Sequence, residues 1–216
     1  MYYKYIAIEG NIGAGKTTLA HLLAEEFNGR LILEEFEENP YLPMFYENPE
    51  KYALHLETAF LLDRYRQMSA ILDKPNIFKD FIITDYMLIK SLLFAKVNLS
   101  STDFKLYATF YDIIQKKLPK PEIIFYLHAS TEQLKKNILK RGRFYEQNIS
   151  RTYLNKIERI YFEYFKQNQQ IKVVVIDVND INWISNIYAY KSLLHVFEQK
   201  YETGINYVSL KENFGV

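Results

Sequence analysis

Gly10-Asn11-Ile12-Gly13-Ala14-Gly15-Lys16-Thr17 is the stretch on which the reading of this chain turns. It matches G-x-x-x-x-G-K-[ST] at every specified position. The apolar run Tyr5-Ile6-Ala7-Ile8 precedes it. Lys16 to Phe27 follows, with Leu19, Leu22, Leu23 and Phe27 at helical spacing. A strand, a glycine-rich turn and a helix in that order predict a cradle for the phosphates of a nucleoside triphosphate. The turn aims backbone N–H groups at phosphate oxygens, and the helix N-terminus adds favourable partial charge. Lys16 reaches the β- and γ-phosphates, and the Thr17 hydroxyl is placed to ligate magnesium. This segment, together with Thr18, is the expected ATP-binding element.

Outward from the cradle, short apolar runs alternate with helix-like stretches. Leu31-Ile32-Leu33 reads as a second strand, Phe81 to Thr84 as a third, Ile123 to Leu127 as a fourth and Lys172 to Ile176 as a fifth. Continuous runs rich in Ile and Val fit strands covered on both faces. Their alternation with helices predicts an α/β fold with a parallel sheet. Asn28-Gly29 supplies a stop for the first helix. Pro49 to Asp73 repeats apolar residues at Leu54, Leu61, Tyr65, Met68 and Leu72. Ser100 to Leu118 opens on a Ser100…Asp103 pair, and Ser130…Gln133 has capping-box form. Further helices are expected over Arg151 to Gln167 and Ile181 to Lys200. The tail from Thr203 shows no clear period and is expected to be loosely held.

The 216 residues fit a single domain, 1–216, carrying a lid. A formal net charge of +1 gives no support for a nucleic-acid or membrane-surface partner. With no cysteine, thiolate chemistry and disulfides are excluded. The four histidines share no metal-ligand spacing. No secretion signal or membrane-spanning run is seen, and a cytoplasmic location is expected.

Beyond the loop, several motifs occur in a characteristic order. They are Ile8-Glu9-Gly10, Glu34-Glu35-Phe36, Asn39-Pro40-Tyr41-Leu42, Phe45-Tyr46, Leu56-Glu57 to Arg64-Tyr65-Arg66, Thr84-Asp85-Tyr86, Leu118-Pro119-Lys120-Pro121 and Lys140-Arg141-Gly142-Arg143. On these the chain, from about Tyr5 to about Phe165, resembles the deoxynucleoside kinase family, and within it the bacterial deoxyguanosine kinases. The resemblance implies a P-loop kinase with a five-stranded parallel sheet flanked by helices. It also implies an arginine lid at about residues 140–150 and a homodimer joined through helices.

The same resemblance distributes roles. The first Glu of the family's Glu-Pro-Val-like motif is the catalytic base, which points to Glu34, with Glu35 as its rival among the crowded Glu34, Glu35, Glu37 and Glu38. Asp85 follows the third strand, where an acid holds magnesium directly or through water. Family members usually carry Asp-Arg-Ser there; the Tyr86 that follows Asp85 leaves a positive charge to be found elsewhere, at Arg64 or Lys90. Arg141 and Arg143 are planar forks suited to phosphate oxygens. A further family Arg is replaced by Asn137, so the lid charge is reduced, or Lys136 or Lys140 compensates. Tyr46 and Glu146 correspond to residues that hold the sugar 3′-hydroxyl.

Glu57 bears on the acceptor base. Glu57, Leu61, Arg64 and Met68 share one helical stripe. Most of the family has Gln at the Glu57 position. A carboxylate only accepts hydrogen bonds, which suits the N1–H and 2-amino donors of guanine, with Arg64 available to O6 or N7. The expected reaction is therefore phosphorylation of deoxyguanosine by ATP with magnesium. A nucleoside monophosphate kinase is the second enzyme reading, although the acidic segment Glu34 to Glu38 speaks against an acceptor phosphate. A nucleotide-binding, non-catalytic subunit is the third.

Overall fold

Every residue of Tyr5–Gly10 is buried, as a continuous apolar strand is when both faces of its sheet are covered. This strand, β1, is at the centre of the sheet in a computed structural model that describes residues 1–35, 39–73, 78–179 and 186–210. It pairs with β3 (Ile82–Thr84) on one side and β4 (Ile123–His128) on the other, both parallel. Outside β3 lies β2 (Arg30–Ile32), and outside β4 lie β5 (Lys172–Asp177) and β6 (Gly204–Ser209). The order is β2-β3-β1-β4-β5-β6, parallel throughout.

The five expected strands are present, with bounds moved by one or two residues. The sixth is a correction. Gly204–Ser209 pairs with β5 from Lys172↔Gly204 to Asp177↔Ser209, where a loosely held tail was expected. An edge strand carries a mixed, half-exposed pattern, and its order comes from the ladder of its neighbour rather than from its own apolar run. Residues 211–216 of that tail lie outside the described residues, as do Phe36, Glu37, Glu38, the side chain of Leu72 and the expected helix start at Ile181.

Helices α1 (Lys16–Glu26), α2 (Tyr41–Glu47), α3 (Pro49–Asp73) and α4 (Ile89–Asn98) precede α5 (Ser101–Gln115), α6 (Thr131–Arg141), α7 (Arg151–Gln167) and α8 (Ile187–Phe197). Where a serine caps the first turn, the sequence announces the helix. Ser100 accepts from the Asp103 N–H, Ser130 from Gln133 and Ser150 from Tyr153. The helices α2 and α4 were not expected. Their N-caps, Pro40 and Leu88, offer no side-chain bond to mark a start. At the end of α1, Asn28 rather than Gly29 takes the left-handed turn, at φ 54°.

The strands divide their side chains between two layers. Ile6, Ile8, Phe125, Leu127, Val174 and Ile176 pack with α1, α6 and α8. Ala7, Ile124, Tyr126, Val173 and Val175 pack with α4 and α7. Into this second layer projects Glu9, which is fully buried. Its carboxyl accepts from the Met87 N–H at 2.8 Å and from the Tyr161 hydroxyl at 2.8 Å. Burial pushes its pKa up, and Lys90 and Lys16 oppose that push. Glu9 therefore ties β1 to the segment between β3 and α4, which carries the acidic residue of the site. Replacing Tyr161 by Phe removes one donor and leaves a buried oxygen without it. The expected loss is about 1–3 kcal/mol, read as a lower urea midpoint at unchanged slope.

Candidate active site

The carboxyl ends of β1, β2 and β3 bring the charged residues together, where ligands bind in open parallel sheets. The loop Gly10 to Gly15 joins β1 to α1. Gly13, at φ 84°, lies so close to α6 that a Cβ would stand 2.9 Å from Leu134 O and from Ile138 Cγ1. Asn11 Nδ2 donates to Leu154 O at 2.8 Å, and its Oδ1 accepts from the Ile12 N–H at 2.9 Å. Ala14 is buried and Thr18 is exposed in the first turn of α1. Lys16 Nζ donates to Gly10 O at 3.0 Å and Asn11 O at 2.9 Å. Burial lowers its pKa to about 8, helped by Lys90 and opposed by Glu9, Glu34 and Asp85.

Glu34 follows β2 and is held by two cations. Its Oε1 accepts from Arg64 Nε at 2.8 Å and from Arg64 Nη2, and its Oε2 accepts from Lys90 Nζ. Arg64 Nη1 donates onward to Ser91 Oγ at 2.6 Å. Arg64 and Lys90 are 3% and 6% exposed, so both charges need this partner. Burial alone would raise the Glu34 pKa. Lys90 and then Arg64 outweigh it and bring the value down to about 2. Glu34 is thus ionised at neutral pH, while its rival Glu35 is exposed.

Arg64 and Lys90, the two candidates for the charge missing after Asp85, converge on the same carboxylate. Tyr86 itself is buried in an apolar cluster with Tyr5, Leu61 and Met68. The expected donation from Arg64 to a purine is not the contact seen: the guanidinium faces Glu34 and Ser91. Asp85 Oδ1 accepts from the Glu34 N–H at 2.7 Å, and Oδ2 from Thr17 Oγ1 at 2.5 Å. A hydroxyl and a carboxylate are thereby adjacent at the mouth of the loop.

Glu57 on α3 is 2% exposed. Its Oε1 accepts from Asn98 Nδ2 at 2.7 Å, while its Oε2 is buried with no hydrogen-bond partner among the described residues. Burial pushes its pKa up to about 7, against the Asn98 hydrogen bond and the charges of Arg64 and Lys90. In the segment expected as a lid, Arg141 and Arg143 both pair with Glu146, the latter at 3.5 Å. Gly142 between them takes a left-handed φ of 78° with open space around it. Tyr46 stacks on Tyr145 at 6.0 Å, and burial holds its hydroxyl pKa well above the ordinary value, with Tyr153 and Glu146 adding to it. Asn137 does not stand in for a lid charge. Its Nδ2 donates to Gly13 O at 2.8 Å and its Oδ1 accepts from Gln133 at 2.9 Å, so it braces the loop. Sequence reasoning missed Ser91 and Asn98. Both lie on α4, whose start carries no cap to signal it.

A glycine loop that opens a helix, a lysine folded onto it, a half-buried ionised carboxylate and a paired hydroxyl and acid define a P-loop phosphotransferase. Residues 6–200 match the family model described as Deoxynucleoside kinase. A deoxyguanosine kinase of Bacillus subtilis is 37% identical over 186 residues, which cover 84% of this chain and 90% of that one. A deoxyadenosine kinase of Lactobacillus acidophilus is 27% identical over 209 residues, covering 90% and 95%. Among solved structures, deoxyadenosine kinase from M. mycoides with bound dATP superposes with a TM-score of 0.76 at 28% identity, over 90% of this chain and 98% of that one. The chain belongs to the deoxynucleoside kinase family. No helix among the described residues is long and apolar enough to cross a membrane.

The charge cluster yields a pH test. With its pKa near 2, Glu34 contributes no acid limb to kcat between pH 5 and 8. In Lys90→Met the largest charge opposing its protonation is gone, so its pKa rises and the carboxylate is lost as pH falls. kcat at saturating nucleoside should then acquire an acid limb displaced upward. The loss at pH 7 should be smaller than the about 10²- to 10⁴-fold expected of Glu34→Gln. An unchanged profile would show that Lys90 does not set the charge of Glu34.

Proposed function

We propose that the protein transfers the γ-phosphoryl group of ATP to the 5′-hydroxyl of deoxyguanosine. The observation that carries the guanine assignment is the buried Glu57 carboxyl with one oxygen unsatisfied among the described residues. A buried acceptor without a donor costs about 1–3 kcal/mol, and a ligand that brings N–H groups to it recovers that. Guanine presents two such donors side by side, whereas adenine N1 and cytosine N3 are acceptors facing an acceptor. The relatives include both deoxyguanosine and deoxyadenosine kinases, so the family alone leaves the base open.

In the proposed reaction O5′ attacks Pγ as the bond from Pγ to the β-phosphate bridging oxygen breaks. The proton of O5′ passes to Glu34, and deoxyguanosine monophosphate and ADP leave. The transition state of phosphoryl transfer is loose, so orienting the alcohol matters more than a high pKa of the base. Lys16 and the loop amides stabilise charge on the transferred group, and Arg141 and Arg143 add to it from the lid. Tyr46 and Glu146 hold the 3′-hydroxyl, and the pairing of Glu146 with both lid arginines couples sugar binding to lid charge.

The Thr17 hydroxyl and Asp85 carboxylate fit magnesium, a hard cation that takes one or two carboxylates and completes its shell with phosphates and water. Thr17 and Asp85 would hold the ion, which would supply neutralisation of the donor phosphate charge. The exposed Leu106, Phe110 and Ile113 repeat along one stripe of α5, which supports a homodimer joined through helices. Arg64 and Lys90 both point at Glu34 rather than into open space, which speaks against their holding an acceptor phosphate and so against a monophosphate kinase.

A panel of deoxynucleosides tests the assignment. Wild type should prefer deoxyguanosine, with deoxyinosine next. Glu57→Gln should lower kcat/KM for deoxyguanosine about 5- to 160-fold, the kinetic equivalent of about 1–3 kcal/mol, and raise it for deoxyadenosine or deoxycytidine. An unchanged base preference would remove Glu57 from the base pocket.

A further inference from the structure

Asn98, the last residue of α4, is the side chain that fixes the Glu57 carboxyl. Its Nδ2 donates to Oε1 at 2.7 Å, and the same carboxyl leaves Oε2 buried and unpartnered among the described residues. The rest of the surroundings hold Glu57 on a rigid wall. The Tyr107 hydroxyl of α5 donates to the Glu57 carbonyl oxygen at 3.1 Å, and Tyr153 of α7 lies against Asn98. We propose that Asn98 is a specificity-determining positioning residue that aims Oε2 of Glu57 at the acceptor base, and that the proton on that oxygen chooses between 6-oxopurine and 6-aminopurine nucleosides. This rests on the reading that Glu57 faces the base.

The chemistry follows from what each form of the carboxyl presents. Ionised, both oxygens only accept, and they match the N1–H and 2-amino group of guanine. Because Asn98 donates to Oε1, a proton on the carboxyl settles on Oε2. The neutral acid then offers one O–H donor and one carbonyl acceptor, the same pattern as a Gln amide. That pair matches N1 and the 6-amino group of adenine.

The groups around Glu57 place this change in the neutral range. Burial pushes its pKa up to about 7. The Asn98 hydrogen bond, Arg64 of α3 and Lys90 of α4 favour the ionised form, and Glu34 beyond β2 opposes it. Tyr107 and Tyr153 have their own pKa values raised by burial and remain neutral across this range. Rising pH therefore favours guanine and falling pH favours adenine.

The test is the ratio of kcat/KM for deoxyguanosine to that for deoxyadenosine between pH 6 and 8. kcat/KM reports the free enzyme, and the titrations of the donor phosphates and of Glu34 cancel in the ratio. In wild type the ratio should climb with pH, by up to about 100-fold, because the ionised-to-neutral ratio changes tenfold per pH unit. In Glu57→Gln it should be flat. Asn98→Ala removes a donor that favours ionisation, so the climb should move to higher pH. Asn98→Asp, of nearly the same size, should move it further by adding a like charge. A flat wild-type ratio that still favours deoxyguanosine overturns the proton choice and leaves the guanine reading standing. A ratio that favours deoxyadenosine at every pH removes both. Should Asn98→Ala fail to fold, Asn98→Asp decides, and a climb at the wild-type pH in that variant overturns the role of Asn98.

Discussion

The site depends on one buried arrangement of charge, in which Glu34 lies between Arg64 and Lys90. Two cations in an apolar setting are costly unless an anion meets them, and a lone buried carboxylate is equally costly. Each group makes the others tolerable. The cluster joins the end of β2, the middle of α3 and the first turn of α4. It also explains how an ionised carboxylate survives where water is scarce. Neighbours of opposite sign suppress its proton affinity more strongly than burial raises it.

Around that cluster the scaffold repeats a single device, a side chain that anchors backbone from a distant part of the chain. Glu9 ties β1 to the segment that carries Asp85. Asn11 fastens the phosphate loop to α7, and Asn137 fastens it to α6. Asp85 receives the Glu34 N–H and so fixes the backbone that carries this carboxylate. The acceptor side, the donor side and the lid helix therefore share contacts although they are far apart in sequence.

The loop and the strands were legible in the sequence because their signals are local. Lys16 and Thr17 occupy fixed positions in a string, and five strands are continuous apolar runs. The helices with serine caps were legible for the same reason. β6 was not, because an edge strand is defined by the neighbour it pairs with. α4 was not, because Leu88 offers no cap, and with it went Ser91 and Asn98. Arg64 and Lys90 stood out as charges, but that both meet one carboxylate depends on how α3 and α4 cross. Asn137 was noticed only as a missing arginine; its amide geometry shows a brace, which no spacing rule expresses.

The close approach of Gly13 to α6 makes the two lid arginines mechanically unequal. Arg141 ends the helix that touches the apex of the loop through Leu134 and Ile138, so its position is that of a strut bolted to the donor cradle. Arg143 lies past the left-handed, uncrowded Gly142, at the start of the turn that carries Tyr145 against Tyr46 of α2. Glu146 clasps both, and so bridges two charges that lie on either side of a single pivot.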